Sequence, residues 1–461
     1  MELLLLCDFG STYTKLVAVD PKAKKIAATA KSYTTIETDV TLGYELALNE
    51  ITKKTGKNTV FTKKLASSSA AGGLKIISSG LVPDLTAKAS RLAAASAGAK
   101  IIKTYSYELT AAEEQYINYA SPDIVLLSGG TDGGNKDVLL HNARVVARTT
   151  GSFAVIIAGN RSVAEQAASI IAENGKEVVI TENVMPDFNS LNIAPVKDVI
   201  RELFIKNIIS AKGLDKIQAI MDMDIIPTPL AVFEACELLS TDFGELMAYD
   251  LGGATTDVYS MAKGLPAQEN CFLQGIPEPF AKRTVEGDIG MRYSAEALIA
   301  LIDEEQGLQN FCTKNNIDFS AFNKWQDICK KSPGVLPVDE YASYQPIDEA
   351  LAKAAISLST NRHVGTKSKV KTLAGEAFLQ EGKDLTKIKH IIASGGAVIN
   401  AKNPRAIMEA AFYAPQDLNL LKPFKADIWL DSANCLSAAG LLSRIEPQLA
   451  LLLMKDNFDK I

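Results

Sequence analysis

Short apolar runs of strand length alternate with amphipathic stretches along most of the chain. Near the start, LLLLCDF, KLVAVD and KIAATAKSY predict three strands joined by tight turns, followed by a helix over LGYELALNEITKK. DIVLLSGG (123–130) predicts a buried strand with a glycine end. FAVIIAGN (153–160) predicts another, leading into an amphipathic helix over SVAEQAASIIAEN. A second strand-turn-strand is predicted at LMAYDLGGATTDVYS (246–260), the pattern turns helical between about 285 and 380, and KHIIASGGAVI (389–399) returns to a buried strand. This alternation predicts an α/β class built of packed layers. Within residues 66–120, LVPDLTAKASRLAAASAGAKII reads as strand, Ala-rich helix and strand, a small α/β insertion.

Two of these patterns recur. Asp8-Phe9-Gly10-Ser11-Thr12-Tyr13-Thr14 aligns with Asp250-Leu251-Gly252-Gly253-Ala254-Thr255-Thr256 in its Asp, a Gly and the final Thr, with apolar strands on both sides. DIVLLSGG with Gly129 pairs in the same order with HIIASGG and Gly395. Two motifs recurring in order predict two related halves.

At 461 residues the chain exceeds the size at which one core stops growing, so two or more domains are expected. A net charge of −6 argues against nucleic acid or an anionic membrane as the main partner. Six cysteines (Cys7, Cys236, Cys271, Cys312, Cys329 and Cys435) form no C-x-x-C pair, the usage of a reduced cytosolic protein without a zinc framework or disulfides. The first residues lack a basic leader and a cleavage site, and no apolar stretch approaches the ~20 residues of a membrane helix, so a cytoplasmic location is expected.

A hairpin tip of Gly and small hydroxyl residues lets backbone N–H groups converge on an anion. Two such tips facing each other across a cleft would grip the phosphates of a nucleotide. Asp8 and Asp250, at the strand ends, stand where Mg²⁺ is held with few protein ligands. The glycine end of ASGGAVI would let the backbone lie flat against base and sugar. Asp257 reads either as a solvated strand residue or as an acid near the metal or the attacking water, and Lys15 has the same two readings. AGNRSVAEQ (158–166) opens a helix after a strand, where an anion can bind, but it lacks the G-x-G-x-x-G of a dinucleotide site.

DFGSTYTK resembles the first phosphate motif of the actin, sugar-kinase and Hsp70 superfamily, DLGGATTDV its second, and IIASGGAVI its adenosine motif. PTPLAVFEA (227–235) resembles the start of the first connecting helix, and DSANCLSAAGLLS (431–443) the second. The resemblance implies a two-lobed actin-like ATPase fold of duplicated RNase-H-like domains closing on Mg-ATP or ADP. Its lobes are expected at 1–228, with the α/β insertion near 66–120, and 229–435, with a helical insertion near 276–380; residues 436–461 would be a connecting helix returning to the first lobe. It implies Asp8, Asp250 and Asp257 as metal and water-positioning acids, with Asp8 and Asp250 as the metal ligands. Gly10, Ser11, Thr12, Tyr13, Thr14, Lys15, Gly252, Gly253, Ala254 and Thr255 would be phosphate contacts, and Gly395 and Gly396 adenosine contacts. Where the Hsp70 branch carries an acid before Pro-Thr, this chain has Ile226, so hydrolysis is expected to be slow or to use Asp224 or Glu234.

Over the whole chain, DFGSTYTKLVAVD, ASSSAAGGLKIISSGL (66–81), LLSGGTDGGN (126–135), RTVEGDIGMRYSA (283–295) and RHVGT (362–366) resemble the glutamate mutase (methylaspartate mutase) accessory protein family, MutL or GlmL. This implies an ATP-dependent reactivating factor for an adenosylcobalamin-dependent mutase or aminomutase, releasing damaged cobalamin and admitting intact cofactor. His141, His363 and His390 lie in no Asp-x-His-x-x-Gly pattern, so cobalamin is expected on the partner. His363 reads as a surface helix end or as a contact to a partner or phosphate. A small-molecule kinase and an actin-like filament protein are the rival readings.

Overall fold

The computed structural model describes residues 1–35, 39–69, 74–208, 213–331, 341–372 and 375–461. Residues 70–73 of the stretch 66–81, and 332–340 and 373–374 of the expected helical insertion, lie outside the described residues. The chain divides into two compact units. The first comprises 1–18, 27–230 and 275–277, and the second 19–26, 231–274 and 278–461.

In the first unit, β1 (Glu2–Phe9), β2 (Tyr13–Asp20), β3 (Lys25–Tyr33) and β4 (Val60–Ser68) are followed by five further strands before the sheet is completed. These are β5 (Lys75–Gly80), β6 (Lys100–Ser106), β7 (Ile124–Leu127), β8 (Ala154–Ile157) and β9 (Val178–Ile180), after which comes β10 (Ile226–Pro227). The first sheet has the order β10-β4-β1-β2-β3. β1 lies at its centre, which is why ELLLLCDF is buried almost throughout rather than alternating. β10 is only two residues long and sits at the edge, where Pro227 is tolerated because no ladder donor is needed beyond it.

Between β4 and β10 the chain builds a separate five-stranded sheet, β6-β5-β7-β8-β9, with every pairing parallel. The insertion expected at 66–120 therefore begins after β4 and runs well beyond residue 120. This also corrects the second half of the internal repeat. DIVLLSGG is β7 of the inserted sheet, whereas HIIASGG ends a strand of a different sheet in the second unit, so their likeness reflects only that glycine commonly follows a buried strand.

The second unit contains β11 (Leu246–Leu251), β12 (Thr256–Met261), β13 (Cys271–Gln274), β14 (Ala281–Glu286), β15 (Thr366–Thr372), β16 (Gly375–Glu381), β17 (His390–Ser394), β18 (Asp427–Asp431) and β19 (Phe458–Lys460). Its main sheet has the order β14-β12-β11-β17-β18-β19. Counting strands within each sheet, the first runs 3-2-1-4-5 and the second 3-2-1-4-5-6, the second with an antiparallel first pair, and both with a fourth strand parallel to the first. This duplicated order is the actin-like ATPase fold. The true counterpart of β17 is thus β4. By register, Asp8 stands opposite Ser67 as Asp250 stands opposite Ser394.

Helices fill the segment between β14 and β15, at Ala295–Gln306, Leu308–Lys314, Phe319–Lys331 and Tyr341–His363, packing around Trp325, Phe322 and Leu351. The expected helical insertion near 276–380 also carries β15 and nearly all of β16, which join β13, just before it in the chain, in a small sheet of order β13-β16-β15. Residues 436–461 form two helices, Leu436–Ser443 and Pro447–Asn457, and the edge strand β19, rather than one connecting helix. Pro447 explains the break: without an N–H it starts a helix readily but cannot continue one.

Candidate functional site

The two hairpin tips close in the same way. Gly10 N–H donates to the Tyr13 carbonyl at 3.0 Å, and Gly252 N–H donates to the Thr255 carbonyl at 2.9 Å. A Cβ on Gly10 would stand 2.8 Å from Tyr13 O, and one on Gly252 3.1 Å from Thr255 O, so the closure favours glycine at both places. Among the described residues, the N–H groups of Ser11 and Thr12, and of Gly253, Ala254 and Thr255, have no protein acceptor. Each tip therefore offers unpaired N–H groups suited to a phosphate.

Around the first tip the predicted residues separate. Ser11 is exposed and Thr12 half-buried, whereas Thr14 is fully buried with its hydroxyl on that of Thr34 at 3.0 Å. Thr14 is thus a core fastening rather than a ligand contact. The Tyr13 ring stacks on Tyr33 at 4.9 Å, and burial together with the Tyr33 hydroxyl pushes its own hydroxyl up to about 12. Lys15 lies half-buried on the Tyr13 side of β2. Asp8 is buried, and its Oδ1 accepts from Thr228 Oγ1 at 2.6 Å and Ser67 Oγ at 3.1 Å. Thr228, the threonine of the connecting-helix motif, thereby fixes the first carboxylate.

In the second unit, Asp250 is half-buried at the end of β11, directly across the ladder from Asp257 on β12. Two carboxylates facing each other repel. Arg283 of β14 resolves this, donating from Nε to Asp257 Oδ1 at 2.7 Å. Asp257 is therefore neither solvated nor unpaired.

The carbonyls of the second tip are bound from behind by the segment that follows β14. Met291 N–H donates to Gly252 O, Arg292 and Tyr293 N–H to Gly253 O, and Ser294 Oγ to Ala254 O. A Cβ on Gly290 would lie 2.5 Å from the Ala254 carbonyl carbon. Arg362 ties the same segment down through Glu286 at 2.7 Å and Asp288 at 2.8 Å, while burial pushes the Glu286 carboxyl up. His363 is fully buried between the hydroxyls of Thr284 and Ser260, so neither the surface reading nor the partner or phosphate reading holds. RTVEGDIGMRYSA and RHVGT, quoted above as motifs without a role, thus brace the tip. Their charges and glycines were the available signal.

Gly395, at φ 94°, packs its Cα against the backbone of Leu251, where a Cβ would overlap the carbonyl oxygen. Gly396 is exposed, and a Cβ there would come no closer than 3.7 Å to Asn400 Nδ2. The two predicted adenosine glycines thus differ: the first is needed by the fold, and the second faces open space. Ser394 donates to the buried Asp431, which also accepts from the N–H groups of Cys435 and Leu436 at the start of the following helix.

Of the substitutes for the missing acid, Asp224 is exposed and Glu234 is bound by Arg444 through Nε at 2.6 Å. Ile226, in the place of that acid, is fully buried. Among the described residues no cluster of three or more His, Cys, Asp or Glu side chains is arranged to hold a metal ion, and no helix is long and apolar enough to cross a membrane.

Comparison with known proteins agrees with the motifs. The chain is 42% identical over 468 residues to "Protein MutL" of Clostridium tetanomorphum, covering 100% of both chains. Solved structures similar to it include ligand-bound xylulose kinase from Lactobacillus acidophilus, at 10% identity and TM-score 0.35 over 100% of this chain and 93% of the kinase. Plasmodium falciparum glycerol kinase with ADP matches at 9% identity and TM-score 0.33, over 98% of this chain and 92% of the kinase. A family model described as "MutL protein" matches residues 4–458, and the chain belongs to that family, the glutamate mutase accessory family its motifs resemble.

Proposed function

We propose that this protein is a cytoplasmic, ATP-dependent reactivating factor for an adenosylcobalamin-dependent mutase such as glutamate mutase, promoting exchange of damaged cobalamin for intact cofactor. The observation that carries the nucleotide half of this reading is the matched pair of tips, each closed by a Gly N–H and each leaving its next N–H groups unpaired. Family membership carries the partner half.

Asp8 and Asp250 are the ligands we assign to Mg²⁺. The donor set fits: each is a carboxylate at the end of a central strand beside a tip, and Mg²⁺ takes one or two carboxylates plus phosphate oxygens and water. Bound there, the ion would neutralise phosphate charge. The chain's own groups do the rest. Thr228 and Ser67 orient the Asp8 carboxylate, the tip N–H groups hold phosphate oxygens, and Arg283 holds Asp257 in place beside Asp250. With Ile226 in place of an acid and Glu234 engaged by Arg444, turnover should be slow, as suits a device that works by binding and release.

The cobalamin is assigned to the partner. His141 bonds the Leu109 carbonyl, His363 is buried between two hydroxyls, and His390 accepts from Trp429 Nε1 at 3.3 Å.

The test is recovery of a mutase inactivated by its own turnover, after addition of this protein, Mg-ATP and fresh adenosylcobalamin. Recovery that needs ATP supports the reading. No recovery despite confirmed ATP binding removes the reactivase role, and a phosphorylated metabolite in place of free phosphate would mark a kinase.

A further inference from the structure

The nucleotide reading makes no use of the inserted sheet, nor of the motif SGGTDGGN (128–135) that it carries. Read in chain order, its strands run 2-1-3-4-5, so the direction of winding reverses between β5 and β7. The side chains confirm the reversal. Ile76, Ile124 and Ile156 face one core with Ala89 and Ala93 of the helix Lys88–Ser96. Their neighbours Ile77, Val125 and Val155 face another core with Ile117 and Leu139 of the helices Ala111–Ala120 and Asp137–Arg148. The connection after β5 thus lies on the opposite face from those after β6 and β7. In doubly wound sheets, ligands bind at this point, outside the carboxyl ends of the strands.

The loop leaving β7 occupies that point and is built rigidly. Gly129, Gly130 and Gly133 have φ of 145°, 71° and 78°, and a Cβ on Gly130 would overlap Asn135 O. Asn160, fully buried, accepts from Gly133 N–H at 3.0 Å and donates to the carbonyls of Gly134 and Asn135 at 3.1 and 3.0 Å. Asn183 donates to Gly130 O at 3.0 Å, and Asn160 N–H to Gly129 O at 3.1 Å. The carbonyls of Gly129, Gly130, Gly134 and Asn135 are therefore spent on the protein. Its N–H groups are not: those of Gly129, Gly130 and Thr131 meet no acceptor among the described residues, although Gly129 and Gly130 are buried. Buried backbone N–H groups are nearly always paired, and consecutive ones form a cradle for an anion.

We propose that the loop Ser128–Asn135, at the switch point of the inserted sheet, binds the phosphate group of a second ligand. This site is independent of the nucleotide reading and rests on the inserted sheet alone.

The protein is tested by amide hydrogen exchange with three probes: inorganic phosphate, FMN, and riboflavin, which is FMN without the phosphate. Exchange across 127–136 should slow several-fold with phosphate and FMN, and should not change with riboflavin or sodium chloride of equal ionic strength. Gly129→Ala puts a methyl 3.5 Å from Leu81 N, between the loops of β5 and β7, and should weaken FMN binding at least tenfold; Asp250→Ala should leave it unchanged. If that glycine variant does not fold, exchange in the native chain decides. No protection at 127–136, equal protection by riboflavin, or unaltered FMN affinity in folded Gly129→Ala overturns the proposal. Protection of 8–14 and 250–256 by Mg-ATP is read in the same experiment, so failure of the nucleotide reading is seen separately.

Discussion

Arg283 and Asp257 form an ion pair closed to solvent, with only 3% of the arginine and 6% of the aspartate exposed. Asp257 stands directly across the ladder from Asp250, so the acid expected to work on nucleotide is also a fastening of the antiparallel pair β12–β14. Arg283→Leu leaves a buried carboxylate without its cation, which costs about 3–5 kcal/mol. The urea midpoint should fall accordingly, and the double variant Arg283→Leu/Asp257→Leu should recover most of the loss. A single variant as stable as the native protein would show that the pair holds nothing together.

Asp8 depends on two hydroxyls of unequal strength. Thr228→Val removes the 2.6 Å hydrogen bond to its carboxylate and Ser67→Ala the 3.1 Å one. A hydrogen bond to a charged group contributes about 1.5–3 kcal/mol, so Thr228→Val should lower stability by that order and weaken Mg-ATP binding. Ser67→Ala should do less of both. Calorimetric titration and thermal melts on the two variants check the ranking, and equal effects would contradict it.

The glycines after β17 should separate under substitution. Gly395→Ala must accept a positive φ and a clash with the Leu251 backbone, a strain of about 1–3 kcal/mol or more. Its melting temperature should drop. Gly396→Ala meets nothing closer than Asn400 Nδ2, so its stability should stay native while affinity for ATP falls if adenosine lies against it. Unchanged affinity in stable Gly396→Ala would remove that contact.

Much of this was legible because it depends on local pattern. Asp8, Gly10, Asp250 and Gly252 stand in short segments whose apolar flanks and turn residues force a hairpin, and the duplication follows from their likeness. The second repeat misled because Ser128-Gly129-Gly130 and Ser394-Gly395-Gly396 are alike locally, while their sheets differ in partners hundreds of atoms away along the chain. Strand order is a non-local property that no window of sequence contains. The same holds for Arg283, Thr228 and Arg362, whose partners Asp257, Asp8 and Glu286 are brought to them only by folding.

His363 was misread for a related reason: a histidine near a helix end looks like a surface residue until its surroundings are known. It is buried beside Lys282 and Lys383, and burial first, then those two ammonium groups, holds its imidazole well below the usual range. Lys383 is pushed down to about 7 by burial and then by Lys282, against a weaker pull from Glu278 and Glu245. Both groups are protonated more readily in the unfolded chain. For Lys383, folding releases a proton between pH 7 and about 10.5, so its contribution to stability rises with pH across that window, by up to about 1.4 kcal/mol per pH unit. Below about 6.5 the unfolded chain protonates His363 while the folded chain does not, so stability should keep falling as pH drops. Above about pH 8.5 the thiols of Cys7, Cys236 and Cys435, pushed up by burial, act with the opposite sign, so the test is confined to urea midpoints at pH 5.5, 7 and 8, which should climb. Lys383→Met removes the titrating group but keeps the apolar stem, and should flatten the climb above pH 7 while leaving the acid side sloped. A native curve that is flat between pH 7 and 8, or a Lys383→Met curve parallel to it, would mean that the buried ammonium keeps its proton.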